Sequence, residues 1–484
     1  MNKLDHLNSW HSDWTKTKVI VYGLGVTGFS AADTLVELGS QVLVVSDNAD
    51  LQTIDVLNVL GVESIIGHEQ SAIIERFRAF KPDLVITSPG VRPDNRIILE
   101  AIANEVPVWT DIDLAWRVRD KFGSSSEWVC ITGTNGKTTV TQLVEQILLK
   151  SGLRAAACGN IGVPILDVVR DPANFQVLVV ELSSFQLHYL QEIAPIVSTV
   201  LNLADDHLDW HGSFEEYSKA KGKIFHNTKV CCVYNAGDQN TQKLMEESLN
   251  TADAQAVGFT VNTPAPNEIG WVEDVLVDRA FVDDPSVALE LATISDIAQI
   301  PLISPHLMAN IAAASAVVRA LEIQPEFVAA GLRSFKLDAH RIELILEKDG
   351  IAWVDDSKAT NPHAAAAALA TFDSVIWIVG GLLKGVDIAP LVKKYSARVK
   401  AAIVIGVERQ PVLTALEEHA AQIPVFEIDD LGTQVMLEAV KAAKRLAQTG
   451  DTVLLAPAAA SMDQFRDYAH RGELFAAAVT QEVS

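Results

Sequence analysis

The chain is short of basic residues: 38 Lys and Arg stand against 62 Asp and Glu, a formal charge of −24 over 484 residues. A nucleic-acid partner needs a basic face to displace counterions, so that class of partner is excluded. Small anionic ligands remain open, because they require only local Lys, Arg and helix termini. Cysteine is also scarce. Cys130, Cys158, Cys231 and Cys232 show no C-x-x-C spacing, and the apolar surroundings of Cys130 and Cys158 suit buried thiols in a reducing compartment. No run approaches the ~20 apolar residues that a membrane span needs. Residues 1–14 are polar and of mixed charge, unlike a signal peptide. A cytoplasmic, enzyme-like chain is expected, with no membrane insertion, and its length predicts two to four domains.

The most informative stretch present is Ile131-Thr132-Gly133-Thr134-Asn135-Gly136-Lys137-Thr138-Thr139. It follows an apolar run expected to be a buried strand and leads into helical spacing over residues 140–150. A strand, a glycine loop with Lys-Thr and then a helix is how phosphate cradles are built. Backbone N–H groups and the helix N-terminus face the phosphate oxygens, the lysine adds a point charge, and a threonine hydroxyl can ligate Mg²⁺. The general P-loop pattern asks for a glycine where Ile131 stands.

Upstream, Val19-Ile20-Val21-Tyr22 turns through Gly23-Leu24-Gly25-Val26-Thr27-Gly28 into a helix expected from Phe29, and the next strand ends at Asp47. This is a G-x-G-x-x-G turn with an acid 19 residues on, which taken literally predicts NAD. The strand over residues 84–87 runs into Ser88-Pro89-Gly90, and strand carboxyl ends are where open α/β sheets bind ligands. Gly123-Ser124-Ser125-Ser126 has the small, polar character of a linker.

Past the cradle come the loop Cys158-Gly159-Asn160-Ile161-Gly162 and a strand ending in Glu181-Leu182-Ser183-Ser184-Phe185-Gln186. An acid ending a strand beside a phosphate loop is a candidate Mg²⁺ ligand. Three aspartates and two histidines crowd residues 205–211, which suggests a metal site and equally fits a capped polar loop. A helix over residues 214–225 carries Lys219, Lys221 and Lys223. Residues 250–300 read as irregular and β-leaning, with no chemistry. A helix over residues 307–321 bears Asn310 near its start.

Beyond residue 335 a new β/α alternation begins. Strands over 351–355, 375–379, 401–405 and 452–455 are followed by loops carrying Lys358, Lys384 and Ser461. Asn361-Pro362 is a helix start, with Asn as N-cap and Pro at the first position. Three α/β domains are therefore expected: a Rossmann-like N-terminal domain over residues 1–122, a P-loop-type central ATPase domain over 123–338 and a Rossmann-like C-terminal domain over 339–484.

The segment Gly133–Thr139 resembles the signature shared by the Mur ligases and folylpolyglutamate synthetases, and Ile131 then marks the ligase form of the loop. Five further segments resemble the Mur ligase branch that adds D-glutamate: Gly159-Asn160-Ile161-Gly162, Glu181-Leu182-Ser183-Ser184-Phe185-Gln186-Leu187, Asp206-His207-Leu208-Asp209, Asp356-Ser357-Lys358-Ala359-Thr360-Asn361 and Ser461-Met462-Asp463-Gln464-Phe465. The resemblance implies an ATP-dependent ligase acting on UDP-N-acetylmuramoyl-L-alanine and D-glutamate in peptidoglycan precursor synthesis, passing through an acyl phosphate. It implies ATP contacts from Gly133, Thr134, Asn135, Gly136, Lys137, Thr138, Thr139, Asn310, Arg341 and Asp356. Lys137, His207, Lys221 and Lys358 take the catalytic positions. Thr138, Glu181, His207 and Lys221 match the holders of two Mg²⁺ ions, with Lys221 carbamylated and Lys219 and Lys223 as fallbacks. A carbamate converts the cation into an anionic oxygen ligand and requires a neutral amine. The first domain would bind the UDP moiety, not NAD, through Gly25, Val26, Thr27, Asp47, Ser88, Pro89 and Gly90, with Asn160 on the sugar side. Thr360, Lys384, Ser461 and Tyr468 match the D-glutamate region. A monomer is expected.

Two residues depart from the family pattern: Leu307 where an asparagine is common, and Leu382 where a Gly-Gly-Asp-x-Lys loop has its aspartate. A folylpolyglutamate synthetase would lack the turn at Gly23–Gly28. A ligase for L-alanine or a diamino acid is the nearest rival, against which the Ser-Ser-Phe-Gln-Leu and Ser-Met-Asp-Gln-Phe segments favour D-glutamate. An NAD-dependent oxidoreductase explains nothing after Gly123, and a uridine-nucleotide sensor has no need of Lys137, Glu181 and Lys221 together.

Overall fold

The computed structural model describes residues 4–483 except positions 50, 250–253, 285, 301–302, 430–431 and 433. Part of the 250–300 stretch thus lies outside the described residues. Three separate sheets organise the chain. The first contains β1 (Lys18–Tyr22), β2 (Gln41–Ser46), β3 (Glu63–Ile66), β4 (Leu84–Thr87) and β5 (Val108–Trp109) in the order β3-β2-β1-β4-β5, all parallel. The order reverses at β1, so the crevice at the carboxyl ends of β1 and β4 is the switch point where such sheets take ligands. The glycine turn and Ser88 lie there.

The central sheet has nine strands: β6 (Glu127–Thr132), β7 (Ala155–Gly159), β8 (Val177–Glu181), β9 (Val197–Val200), β10 (Cys231–Asn235), β11 (Gln255–Phe259), β12 (Glu268–Val272), β13 (Val275–Asp278) and β14 (Leu289–Thr293). Their order is β14-β13-β12-β11-β10-β9-β6-β8-β7. β6 reads Glu-Trp-Val-Cys-Ile-Thr and is buried on both faces, as a central parallel strand must be. It lies between β8 and β9, which places the phosphate loop at a second switch point. β12–β14 pair antiparallel, so the stretch expected to be irregular extends this sheet.

The third sheet contains β15 (Glu343–Lys348), β16 (Ile351–Asp355), β17 (Val375–Val379), β18 (Val399–Val404), β19 (Val425–Glu427) and β20 (Thr452–Leu455), ordered β15-β16-β20-β17-β18-β19 with β15 antiparallel. Apolar clusters around Trp377 on one face and Trp353 on the other bury it. β16, β20 and β17 are adjacent, so the loops bearing Lys358, Ser461 and Lys384 leave neighbouring strand ends.

These sheets fall into two compact units: Met1–Leu203 with Ser218–Asp296 and Asn310–Ser334, and Ala204–Tyr217 with Ile297–Ala309 and Phe335–Ser484. The Gly123–Ser126 linker does not separate the first two sheets, because polar contacts bind them together. Arg170 meets Asp33 at 2.6 Å and Asp167 at 2.8 Å, Ser30 donates to Asp167 at 2.6 Å, and the Tyr189 hydroxyl donates to the Val91 carbonyl at 2.8 Å. Most helices begin near their expected positions. The first starts at Val26, inside the glycine turn. That closeness requires glycine: a Cβ on Gly28 would lie 2.0 Å from the Gly23 carbonyl oxygen.

Candidate active site

The phosphate loop is shaped by partners on either side of β6. Gly136 caps the helix Lys137–Lys150 in the left-handed region, at φ 85°. A Cβ there would stand 2.4 Å from Asn310 Oδ1, so only glycine lets the loop and Asn310 meet. Asn202, just past β9, fixes the loop's other end. Its carbonyl accepts from Thr134 N at 2.9 Å, its Oδ1 accepts from Asn135 N at 2.9 Å, and its Nδ2 donates to the Asn135 carbonyl at 3.0 Å. Lys137 Nζ folds back onto the carbonyls of Gly133 and Thr134, at 3.0 and 2.9 Å. Thr138 is half-buried and Thr139 buried in the first turn.

Three lysines share the helix and 3₁₀ turn after Phe214, and their surroundings separate them. Lys219 is exposed. Lys223 is half-buried and donates to the His188 carbonyl, and burial holds its pKa below the usual lysine value. Lys221 alone meets the phosphate loop. It is 2 % exposed and donates to Thr132 Oγ1 at 3.2 Å and to the Gly133 carbonyl at 2.9 Å.

Glu181 ends β8, level with Ile131 of β6, and is buried. One oxygen, Oε1, accepts from Asn160 Nδ2 at 3.0 Å, while Oε2 is buried with no hydrogen-bond partner. A buried carboxylate oxygen without a donor is costly, and a hard cation is the partner that best meets it. Asn160 therefore holds an acid beside the loop in addition to any contact with a sugar. Ser183 and Gln186 form a capping box that sets the turn after Glu181.

In the first sheet, Ser88 Oγ packs against Gly23 and Gly28 and is buried without a partner. Gly25, Val26 and Asp47 are exposed around the same crevice, with Thr27, Ser88 and Pro89 half-buried and Gly90 exposed.

The second unit assembles the remaining candidates. Arg341 lies between His340 and Ile342, both in the left-handed region at φ 65° and 46°. For a β-branched residue that backbone is strained, and it persists only where its surroundings hold it. The acid that ends β16 and the one that follows it do so. His340 Nδ1 is 2.7 Å from Asp355 Oδ2, Ile342 N donates to Asp356 Oδ1 at 3.2 Å, and Glu343 accepts from His340 N at 2.7 Å. Arg341 also lines a cleft of about 410 Å³ with Gln299, Phe335, Lys336, Asp338 and Glu343. That volume is within the range of small-molecule sites.

Beyond Asp356, Lys358 Nζ donates to the Tyr468 hydroxyl at 3.0 Å, and Thr360 is half-buried two residues on. Asn361 caps the next helix, accepting from Ala364 N at 2.9 Å with Pro362 in its first turn, as expected. Ser461 is buried, and its carbonyl accepts from the amides of Gln464 and Phe465. Lys384 Nζ lies 4.0 Å from Asp206. Leu382 pairs with Ala460 through backbone hydrogen bonds of 2.9 Å in both directions, so the loop's shape does not depend on the side chain at 382. Leu307 is buried, which accounts for an apolar residue there.

Three residues outside the expected set prove central. Asp206 approaches His207 Nε2 at 3.7 Å, Asn361 Nδ2 at 3.4 Å and Lys384. Arg471 is fully buried and donates to Ser357 Oγ at 3.0 Å, the Ser357 carbonyl at 2.8 Å and the Ala459 carbonyl at 3.1 Å. It thereby joins the loop before Lys358 to the loop before Ser461. Asn202 is the third. Only Asp206, inside the Asp-Asp-His run, left a signal in the sequence.

Burial pushes the Asp356 carboxyl up to about 8, against the opposing pull of the Ile342 amide and the Arg341 charge. A carboxyl with a raised folded-state pKa stabilises the fold fully below its unfolded value, near 4, and loses that contribution as pH rises towards 8. The melting temperature of the native chain, relative to an Asp356→Asn variant, is therefore expected to fall steadily between pH 4 and 8 and then level off. Thermal scans across that range check it; a difference independent of pH would contradict it.

Comparison with known proteins gives a consistent result along the chain. Residues 17–110 match the MurD-like N-terminal domain of Mur ligases, 131–318 the Mur ligase middle domain and 340–459 the Mur ligase glutamate ligase domain. A UDP-N-acetylmuramoylalanine–D-glutamate ligase from Leifsonia xyli is 51 % identical over 99 % of this chain and 95 % of its own length. The protein of the same name from Streptomyces avermitilis is 45 % identical over 97 % of this chain and 99 % of its own length. Among solved structures, MurF from Acinetobacter baumannii shares the fold at a TM-score of 0.58 and 16 % identity, covering 96 % of this chain and 90 % of that one. The chain belongs to the Mur ligase family.

Proposed function

We propose that the chain is an ATP-dependent ligase that joins D-glutamate to UDP-N-acetylmuramoyl-L-alanine, releasing ADP and phosphate, in cytoplasmic peptidoglycan precursor synthesis. The observation that carries this reading is the phosphate loop, whose carbonyls are met by Lys137 and Lys221 and whose helix begins at Gly136 with no side-chain cap. Residues 1–122 are read as the UDP-binding domain, 123–338 as the ATP-binding domain and 339–484 as the domain that brings the amino acid, in a monomer. Among the described residues no helix is long and apolar enough to cross a membrane.

In this reading the alanyl carboxylate attacks the γ-phosphorus of ATP, and ADP leaves. The D-glutamate amine then attacks the carbonyl carbon of the acyl phosphate, loses a proton, and the C–O bond to phosphate breaks. Little covalent work falls to side chains; holding the reactants in line and countering crowded negative charge supply most of the rate. The phosphates meet the loop at the N-terminus of the helix Lys137–Lys150, beyond the amides of Thr134 and Asn135 that Asn202 holds. Asn310 fixes the loop at Gly136, and Arg341 and Asp356 hold the nucleoside. Gly25, Val26, Thr27, Asp47, Ser88, Pro89, Gly90 and Asn160 hold the UDP-sugar, and Thr360, Lys384, Ser461 and Tyr468 the amino acid. Lys358 offers its charge to the transferred phosphoryl group and the incoming carboxylate.

Glu181, with its unpartnered oxygen, and Thr138 fit a Mg²⁺ ion, and Lys221 as a carbamate and His207 complete the proposed set for two ions. Bound Mg²⁺ would neutralise the phosphate oxygens. As an ammonium, Lys221 satisfies Thr132 and Gly133. As a carbamate it would present oxygen in place of the ammonium.

Purified protein is expected to release phosphate from ATP only when UDP-N-acetylmuramoyl-L-alanine and D-glutamate are both present. A panel of amino acids read by phosphate release tests this; equal turnover with L-glutamate, or none with the UDP-sugar, overturns it. Lys221→Ala is expected to lose at least 100-fold in turnover, on the order of one removed electrostatic group, and to regain part of it when a short carboxylic acid is added. Absence of rescue at every concentration would count against the carbamate.

A further inference from the structure

Lys358 is the proposed charge donor that follows β16. Its side chain is 17 % exposed. Nζ donates to the Tyr468 hydroxyl at 3.0 Å and sits 4.7 Å from the centroid of the same ring. On a third side, Asp338 Oδ2 stands 3.8 Å away, from a side chain that is 36 % exposed. The two partners differ in kind. An ion pair at that distance with a solvated carboxylate contributes little and exchanges readily. The tyrosine contributes, from one rigid side chain, a hydrogen bond to a charged donor.

The tyrosine is itself fixed. It opens the helix Tyr468–Val483, and its carbonyl accepts from Ser357 Oγ at 2.7 Å. Ser357 in turn takes two hydrogen bonds from the buried Arg471, which belongs to the same helix. The peptide that carries Lys358 and the ring that receives its ammonium are thus joined at both ends, through Ser357 at the backbone and through Nζ at the tip. Tyr468 is therefore more than a wall of the amino-acid site.

We infer that the Tyr468 hydroxyl is a positioning group for Lys358, holding its ammonium ready for an anionic substrate while Asp338 occupies the place that the substrate's anion takes. The inference rests on the proposed role of Lys358 at the amino-acid site. The ammonium carries three protons; the hydroxyl keeps one, and replacement of Asp338 by a substrate carboxylate or phosphoryl oxygen leaves the tyrosine contact intact. A long, flexible side chain is pre-ordered in this way, which lowers the entropy cost of engaging substrate.

Steady-state kinetics on the full-length chain test this with three variants. Tyr468→Phe keeps the ring and removes only the hydroxyl. It is expected to raise the KM for D-glutamate about fivefold to tenfold, within the range for a hydrogen bond to a charged group, with kcat changed less than about twofold. Asp338→Asn removes the competing carboxylate and is expected to leave that KM unchanged or lower it. Tyr468→Leu, lacking ring and hydroxyl, is expected to exceed the effect of Tyr468→Phe. An unchanged KM in Tyr468→Phe, a fall in kcat alone, or a rise in Asp338→Asn equal to that in Tyr468→Phe would overturn the inference. Melting temperatures identify any variant that fails to fold, in which case the comparison is made with 4-fluorophenylalanine at position 468, which keeps the ring and its shape but replaces the hydroxyl by a far poorer acceptor and is expected to raise the same KM; an unchanged KM there overturns the inference. If the unsubstituted chain uses an amino acid other than D-glutamate, the proposed function fails separately, and the same ratios are measured with the amino acid it does use.

Discussion

The structure depends on one constraint: the turn at Gly133–Thr139 that starts the helix Lys137–Lys150 buries its own carbonyls. Buried carbonyls need donors, and the chain supplies them as lysine ammonium groups. Lys137 closes on Gly133 and Thr134, and Lys221, brought from a distant helix, closes on Gly133 and Thr132. Leaving either acceptor unmet would cost about 1–3 kcal/mol. Lys137 thereby carries its charge at the start of the helix as it closes the loop, so folding and the placing of that charge share the same hydrogen bonds. Asn202 and Asn310 complete the loop from the neighbouring strand and helix, and β6 is the central strand that makes all of these partners neighbours.

An acidic chain that binds several anions must concentrate its few cations. It does so at strand ends. Lys358 and Lys384 leave β16 and β17, on either side of β20 and Ser461. The fully buried Arg471, its pKa lowered to about 10 by desolvation, binds the loops of Lys358 and Ser461 through carbonyls and a hydroxyl and no carboxylate. Asp356 is raised by burial yet held beside Arg341, and Asp206 joins His207, Asn361 and Lys384. Buried charge is used here to set loop geometry, where an apolar residue could fill the space but could not fix the direction of a carbonyl.

Much of this was legible in sequence because it is local. Alternating apolar strands, the Asn361-Pro362 cap and the glycines that permit Gly136 and Gly28 are read from a few consecutive residues. The remainder was not legible because it depends on contacts between distant segments. Asn202 looks like any residue after a strand until it meets Thr134 and Asn135. Arg471 sits in an alanine-rich helix, and nothing nearby announces that Ser357 will lie beside it. The linker at Gly123–Ser126 has the composition of a boundary, but the compactness of the first unit is set by Arg170, Ser30 and Tyr189. Which of Lys219, Lys221 and Lys223 meets the loop follows from helix phase, and it is Lys221 that reaches Thr132 and Gly133.

The central claim is that the loop at Gly133–Thr139 serves to activate a carboxylate as an acyl phosphate. Its most direct test uses UDP-N-acetylmuramoyl-L-alanine labelled with ¹⁸O in the alanyl carboxylate, turned over with ATP and D-glutamate. Transfer through an acyl phosphate predicts one ¹⁸O atom in each inorganic phosphate released, read by mass spectrometry. Phosphate free of label, with amide still formed, would contradict it.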